Sequence, residues 1–478
     1  MTVFPSQLFI DNRWQDAAAG EVFETVDPAT EQVLCRVPRG RAADIDAACQ
    51  AAGRAMRGPW RDLTPFARGR LLFRLADLIE QNREELARLE RLDVGKPRSQ
   101  ALGDIDGVAA CFRYNAGAAD KLEGATIPLG REFVDFTTLE PLGVTAHIVP
   151  WNYPLGMAAR SLAPALAAGC TAVLKPAEQS PLTALALGGL IVEAGFPAGV
   201  VNVVSGLGEE AGDALVRHPL VRGVTFTGSV ETGRKVYTAA AMGIKPVVLE
   251  LGGKNPMIIC ADADIERAAH DALDASFGNS GQVCSSASRY IVHKDVRQVF
   301  VDALRRKVAA LRVGLPEDDP DLGPLASREH HDKVMAALAQ AWREGGTACF
   351  GGDRPASLPT GFFVAPTLLD GLDPAGAAAN QEIFGPVAIL HTFSTEEEAL
   401  HLANSFDTGL VAGIYSQDIS RALGMIRQLD FGSVWINGWF IGALQAPTGG
   451  RKASGIGRER GLPGIMNYVS IKNIGIRL

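Results

Sequence analysis

The sequence predicts an α/β protein built on a doubly wound parallel sheet, with a second α/β unit after it and a small β element outside both. Three observations carry this expectation. From about residue 143, short β-rich runs alternate with longer helical runs, the pattern of strand–helix–strand units that place helices on both faces of a parallel sheet. The alternation restarts at about residue 252 and continues to about residue 440. Two polar-interleaved strand candidates, "REFVDFTTLEP" (131–141) and the C-terminal "NYVSIKNIGIRL", lack a local hairpin partner and need a sheet edge, in this chain or another subunit.

The elements follow in order. Leu71, Leu75, Leu78, Ile79, Leu86 and Leu89 recur near the helical period, with arginines and glutamates between them, and predict one long early helix. "VTAHIV" (144–149) reads as a strand, and a helical run follows Pro154. "TAVLK" (171–175) is the next strand, and Pro181 suits the first turn of a helix reaching Glu193. "VVNVV" (200–204), "VTFTG" (224–228) and "VVLEL" (247–251) continue the series, and "NPMIIC" opens the second unit.

Composition sets limits on function. At 478 residues the chain is long enough for about two to four domains. With 47% hydrophobic and 21% charged residues it can bury a large core. A net charge of −8 gives no general electrostatic reason to bind nucleic acid or an anionic membrane. The N-terminus lacks a basic then apolar leader, and no run reaches the ~18 apolar residues of a membrane span. The expectation is a soluble, cytoplasmic protein. The seven cysteines form no C-x-x-C, and the eight histidines form no H-E-x-x-H, so neither a disulfide framework nor a metal site is expected. His147 reads as a core histidine, and His330 with His331 as a solvated surface pair.

Several stretches bear on chemistry. Cys284 lies in "FGNSGQVCSSASRY" (277–290), a glycine- and serine-rich bed unlike that of a buried structural thiol. On its own it reads as a nucleophile or as an inert thiol. "GLGEEAG" from Gly206 matches G-x-G-x-x-A, but no acid follows at the ribose-binding distance, so it reads equally as a plain strand-to-helix turn. "FTGSVETG" (226–233) puts Gly228 and Ser229 at a helix N-terminus, a phosphate-binding arrangement that is not a Walker A loop. "LKPAE" (174–178) places Lys175 and Glu178 just past a strand, where ribose hydroxyls could be held.

Further stretches are "VPWNYP" (149–154) with Asn152, "LELGGKNP" (249–256) with Glu250, "QEIFGP" (381–386) with Glu382 and Phe384, and "PTGGRKASGIGRE" (447–459). Together with "GQVCSS" around Cys284, in this order and spacing over nearly the whole chain, they make the sequence resemble the aldehyde dehydrogenase superfamily, in its non-acylating branch.

The resemblance implies roles. Cys284 would attack an aldehyde carbon. Asn152 would donate to the resulting oxyanion beside the Cys284 backbone N–H. Glu250 would activate the water that hydrolyses the thioester. Lys175 would stand in both the catalytic and the cofactor-binding sets. NAD would be bound by Pro150, Trp151, Lys175, Glu178, Gly228, Ser229, Leu251, Glu382 and Phe384, with NADP possible and disfavoured by the Glu178 carboxylate.

The implied organisation is a dinucleotide-binding domain over 1–117 and 141–251, a catalytic domain over 252–445, and an oligomerisation element from 118–140 with the tail 446–478. A homodimer or homotetramer follows. Tyr153, Arg160 and Phe277 would contact substrate, with Trp439 and Phe440 nearby. Arg160 stands where many relatives carry tryptophan, and it would pair with a carboxylate-bearing semialdehyde. An aromatic or betaine-type aldehyde is the alternative. Rival classes are a CoA-acylating enzyme, which typically lacks the water-activating glutamate; a cysteine hydrolase, which would need a histidine base; and a non-catalytic structural relative.

Overall fold

The structure, a computed structural model, describes residues 4–478; residues 1–3, with which the first expected domain begins, lie outside the described residues. Its first sheet has eight strands. The parallel centre consists of Val144–Ile148, Thr171–Lys175, Val201–Val203, Val221–Thr227 and Val247–Glu250. Helices cover both faces, so Val144–Ile148 and Thr171–Lys175 are buried throughout and read in sequence as near-continuous apolar runs.

Strand order locates the crevice. From Val144–Ile148 the chain builds outward through Thr171–Lys175 and Val201–Val203, then returns to the other flank for Val221–Thr227 and Val247–Glu250. The direction therefore reverses between Val144–Ile148 and Val221–Thr227, and ligands bind such sheets at the carboxyl ends of the strands at that point.

The edges depart from the purely parallel expectation. The hairpin Leu8–Ile10 with Arg13–Gln15 pairs antiparallel to Val201–Val203, and Gly455–Ile456 pairs antiparallel to Val247–Glu250. Antiparallel additions need no crossover helix, so segments from the chain's ends can supply them. Gly455–Ile456 thus leaves the tail to join the first sheet. Val469–Arg477 instead pairs with Phe133–Pro141, from Val469 opposite Pro141 to Arg477 opposite Phe133, and Thr126–Ile127 adds a third strand. The two orphan strand candidates are each other's partners within one chain.

The leucine repeat does not form one helix. Pro65–Gln81 and Arg83–Val94 are separated at Asn82, whose φ of −98° and ψ of 17° leave the helical region and whose Nδ2 donates to Leu78 O at 2.8 Å. Asparagine competes with a helix's own backbone bonds, a break that apolar periodicity cannot reveal. Both helices pack Leu72, Leu75, Leu86 and Leu89 into one core with Phe112 and Leu162.

Residues 251–255 carry the chain from the first sheet into the second. The second has seven strands, parallel from Thr367–Asp370 through Val387–Phe393, Arg289–His293, Pro256–Ile259 and Val411–Tyr415 to Ser433–Ile436, with Thr347–Phe350 antiparallel at one edge. Because the connector is short, the amino edge of this sheet abuts the carboxyl edge of the first. The peptide between helix Ile265–Phe277 and strand Arg289–His293 runs along that amino edge and carries Cys284.

Candidate active site

The cysteine loop is held in a conformation that few sequences adopt. Asn279 (φ 48°), Ser280 (φ 54°) and Gly281 (φ 73°) are successive left-handed residues. A non-glycine residue there costs about 1–3 kcal/mol. Buried hydrogen bonds hold it: Ser280 Oγ donates to Gly323 O at 2.7 Å, Gln282 Nε2 donates to Asn279 O at 3.0 Å, and Gln282 Oε1 accepts the Ala326 N–H at 2.8 Å. A Cβ at Gly281 would lie 2.0 Å from Gly385 O. Only glycine lets this loop touch the turn that follows Glu382 and Phe384.

Cys284 itself is partly buried, and its carbonyl accepts Asn255 Nδ2 at 2.8 Å. Burial pushes its thiol up to about 11; Arg160 draws it back, and the carboxylates of Glu250, Glu382 and Glu459 add to the rise. At neutral pH it is a thiol that needs a base.

Asn152 follows the strand Val144–Ile148 at the reversal point. Its Nδ2 donates to Gln282 O at 2.8 Å, and its carbonyl accepts Asn279 Nδ2 at 3.1 Å. The amide nitrogen carries two protons, so one bond to the cysteine loop orients the group while a second proton remains to be donated.

Glu250 ends the strand Val247–Glu250 and is 5% exposed, and its Oε1 has no protein hydrogen-bond partner. Burial first and Glu459 second push its carboxyl up to about 8, against the pull of Arg160, Arg458 and Arg460. A carboxylate tuned to neutral pH and lacking a partner is suited to take a proton from water.

A cavity of about 300 Å³ joins these groups, lined among others by Trp151, Asn152, Glu250, Cys284, Glu382 and Phe384. Pro150, Gly228 and Ser229 also line it, and the helix Val230–Ala241 opens at Ser229, whose Oγ accepts the Thr232 N–H at 3.2 Å. Phe384 meets Trp151 edge-on, with centroids 5.5 Å apart. Glu382 Oε1 accepts the Gly253 N–H at 3.1 Å, and burial pushes its carboxyl up to about 7. A Cβ at Gly252 would lie 2.0 Å from Glu382 Oε2, so the glycine makes room for that carboxylate.

Three of the expected cofactor residues lie outside this lining. Lys175 is buried and its Nζ donates to Glu178 Oε2 at 2.9 Å; burial depresses the lysine and Glu178 offsets it. Leu251 is buried, donates its N–H to Ser454 O at 2.9 Å, and packs so close to the helix Val230–Ala241 that a Cβ at Gly233 would meet it at 2.5 Å. Gln179, one residue past Glu178, lines the cavity instead. Gly206 does not line it; a Cβ there would lie 2.4 Å from Gly40 O, so "GLGEEAG" serves as a close-packed turn.

None of the three expected substrate contacts lines this cavity. Arg160 forms an ion pair with Glu459, the carboxylate 5% and the guanidinium 16% exposed. Burial works against its charge, but Glu459 and Glu250 outweigh that and keep it charged. Its Nη2 is engaged by a protein carboxylate and its Nη1 donates to Met157 Sδ, while its Nε has no protein partner. Phe277 is 1% exposed, lies in the core with Tyr290 and Phe300, and is absent from the cavity lining. It ends a helix whose apolar face turns inward, which outweighs its closeness in sequence to Cys284. Tyr153 packs against the core of the first unit, and its ring lies under the ammonium of Lys96.

His330 needs correction. It is 9% exposed, lines the cavity, sits 4.8 Å from the Trp151 ring, and bonds Phe384 O through Nε2 at 2.7 Å; burial pushes it down to about 4. His147 is fully buried, with Nε2 bonded to Thr145 Oγ1 at 2.8 Å. Trp439 donates its indole N–H to Ser285 O at 3.0 Å, beside the nucleophile candidate, and clusters with Trp435 and Phe440.

Sequence reasoning missed Glu459. The charged run "GRERG" closes a quoted motif, but only the return of Gly455–Ile456 to the first sheet brings it beside Glu250. Among the described residues, all seven cysteines are free, no cluster of His, Cys, Asp and Glu could hold a metal ion, and no helix is long and apolar enough to cross a membrane.

A family model described as "Aldehyde dehydrogenase family" matches residues 14–474. Hydroxyisobutyraldehyde dehydrogenase of Mycolicibacterium austroafricanum is 43% identical over 479 residues, covering 100% of this chain and 95% of its own. Aminoaldehyde dehydrogenase 1, peroxisomal, of Pisum sativum is 41% identical over 483 residues, covering 99% of this chain and 96% of its own. Among solved structures, the NAD+ complex of aldehyde dehydrogenase from Bacillus cereus matches with a TM-score of 0.97 at 43% identity, over 99% of this chain and 96% of that one. With the cysteine, amide and carboxylate converging on one cavity and a family match over nearly its whole length, this chain belongs to the aldehyde dehydrogenase family.

Proposed function

We propose that this enzyme oxidises a non-anionic aldehyde to the carboxylic acid, with NAD as hydride acceptor and Cys284 as nucleophile. The observation that carries the reading is the single cavity that takes in Cys284, Asn152, Glu250 and the helix start at Ser229.

The residues present fit a dinucleotide. Free N–H groups at the start of Val230–Ala241 suit a pyrophosphate. The buried Lys175 with Glu178 at the end of Thr171–Lys175 suits ribose hydroxyls, and a carboxylate there disfavours a 2′-phosphate. Trp151 and Phe384 give the cavity aromatic walls, and Glu382 can accept from a second ribose. NAD, when bound, supplies the electron sink that takes hydride from the substrate carbon.

The protein's own groups do the rest. The Cys284 thiol gives its proton, through water, to the Glu250 carboxylate, and sulfur attacks the aldehyde carbon to form a C–S bond. The oxyanion takes hydrogen bonds from Asn152 Nδ2 and the Cys284 N–H, an arrangement worth about 3–4 kcal/mol per donor in the transition state. Loss of hydride restores the C=O as a thioester. Glu250 releases that first proton to solvent water, then takes a proton from the attacking water as the water oxygen bonds to the thioester carbon, and the Cys284 thiolate leaves.

A non-anionic substrate is favoured because Arg160 is engaged by Glu459, while Trp435, Trp439 and Phe440 offer apolar surface next to Ser285. Relatives named for hydroxyisobutyraldehyde and for aminoaldehydes span neutral and cationic choices. A buried, unpartnered Glu250 favours hydrolysis over CoA acylation.

The same reading takes the two α/β sheets as a dinucleotide-binding and a catalytic domain. The three-stranded sheet would be an oligomerisation element, since Val134, Ile471 and Ile476 stand exposed on it. A homodimer or homotetramer is then expected by light scattering. The seven free cysteines suit a reducing compartment, and a cytoplasmic enzyme is the reading adopted.

An NAD-reduction screen over aliphatic, aromatic, betaine-type and carboxylated aldehydes tests the whole. Turnover should vanish in Cys284→Ala and need no CoA. Parent-level oxidation by that variant sinks the mechanism, and a clear preference for carboxylated aldehydes sinks the substrate class.

A further inference from the structure

A buried group of charges lies behind the Asn152 turn, outside the cavity, and none of the steps above uses it. Lys96 and Glu90 are 0% and 1% exposed in their side chains, and Asp104 is 22% exposed. An ammonium has three protons, and this one has three partners. Its Nζ donates to Asp104 Oδ2 at 2.5 Å and to Glu90 Oε2 at 3.4 Å, and it lies 3.9 Å from the centroid of the Tyr153 ring.

The other oxygen of Glu90 reaches the same turn from its far side. Glu90 Oε1 accepts the Leu155 N–H at 3.0 Å, one of the first open N–H groups of helix Pro154–Ala168, and Thr183 Oγ1 at 3.3 Å. The residues flanking Asn152 are therefore pinned one after another. Ser180 Oγ donates to Trp151 O at 3.2 Å, Lys96 holds the Tyr153 ring, and Glu90 holds Leu155.

Stability alone is a poor reason for such a cluster. Desolvating a lysine and a glutamate costs several kcal/mol per ion, and well-packed apolar residues often replace buried pairs without loss. What charges add here is direction: a cation on the ring face and a carboxylate on a helix N–H each set where the turn sits. An oxyanion donor has to be held to within about 0.5 Å to work.

We propose that Glu90, Lys96 and Asp104 are positioning residues that clamp the turn Trp151–Leu155 and thereby hold the Asn152 amide at its donating position. The inference rests on the oxyanion role assigned to Asn152.

The test measures the first-turnover rate of NADH formation by stopped flow, with the rate of Cys284 alkylation by iodoacetamide read on the same NAD-bound, full-length enzyme. Alkylation needs the sulfur but no oxyanion donor. Two variants loosen the clamp differently. The double variant Glu90→Gln with Lys96→Met keeps an acceptor for Leu155 and leaves only the partly exposed Asp104 carboxylate without its cation. Tyr153→Leu removes the ring and leaves the three charges paired, so one variant remains if the other does not fold.

In either, first-turnover oxidation should fall about tenfold, with alkylation and NAD affinity within about twofold of the parent. Asn152→Ala sets the reference, with a fall of about a hundredfold. Parent-level oxidation in a folded clamp variant, or alkylation falling in step with oxidation, overturns the clamp and leaves the Asn152 role standing. Parent-level oxidation by Asn152→Ala removes that role, and the clamp with it.

Discussion

Replacing Glu459 by glutamine changes the charge beside Glu250 while keeping nearly the same volume. Glu250 is held up at about 8, by burial first and by the Glu459 charge second. In the proposed mechanism it acts as a carboxylate, so hydrolysis of the thioester should rise with pH as that group ionises. With the carboxyl at about 8, roughly one tenth is ionised at pH 7 and nine tenths at pH 9, about a tenfold rise in rate across that span. Glu459→Gln removes a charge that raises the group and leaves Arg160 with Glu250 as its remaining nearby carboxylate. The midpoint should then drop by about one unit, the usual effect of one close charge. At pH 7 the ionised fraction would reach about one half, so the acyl-enzyme would decay about fivefold faster than in the parent. The assay mixes enzyme, NAD and aldehyde, quenches in acid at set times, and follows the thioester adduct by intact-mass spectrometry across the pH range. A midpoint that stays in place or moves upward refutes the account of what sets the basicity of Glu250.

Other outcomes follow from the same geometry. Arg160→Ala should leave the ratio of KM values for carboxylated and neutral aldehydes unchanged, because the guanidinium belongs to Glu459; it should also slow thioester decay at pH 7, since the cation that lowers Glu250 is gone. Phe277→Ala should cost about 3–5 kcal/mol in urea unfolding without reordering aldehyde preference, as expected for a core side chain and not for a tunnel wall. Glu178→Gln should raise the kcat/KM ratio of NADP to NAD by at least about tenfold, measured by NADPH and NADH formation, by removing a carboxylate that repels a 2′-phosphate.

Much of the fold was legible because parallel strands buried on both faces write themselves as short apolar runs. "TAVLK" is a strand from Thr171 to Lys175 for that reason. The break at Asn82 was not legible, since the leucines on either side keep the same rhythm while one side-chain bond to Leu78 O ends the helix. Nor was the fate of the tail, because pairing Gly455–Ile456 with Leu249 and Glu250 is a contact across two hundred residues.

For the site the division is similar. Cys284, Asn152 and Glu250 could be nominated from their motifs, whose order and spacing resemble the aldehyde dehydrogenase family; Cys284 by itself left nucleophile and inert thiol both open. Which charges surround them was decided by tertiary structure. Arg160 has a side chain long enough to meet a substrate, and only the returning tail shows that Glu459 holds it instead. His330 looked solvated beside His331, yet the loop bearing Phe384 covers it and bonds its ring. The sequence by itself therefore determined the fold class and the chemical type of the site, which depend on residue kind and short-range spacing. Only the folded chain decided the basicity of Glu250, the partner of Arg160 and the grip on the Asn152 turn, because electrostatic and hydrogen-bond energies depend on distances between residues far apart along it.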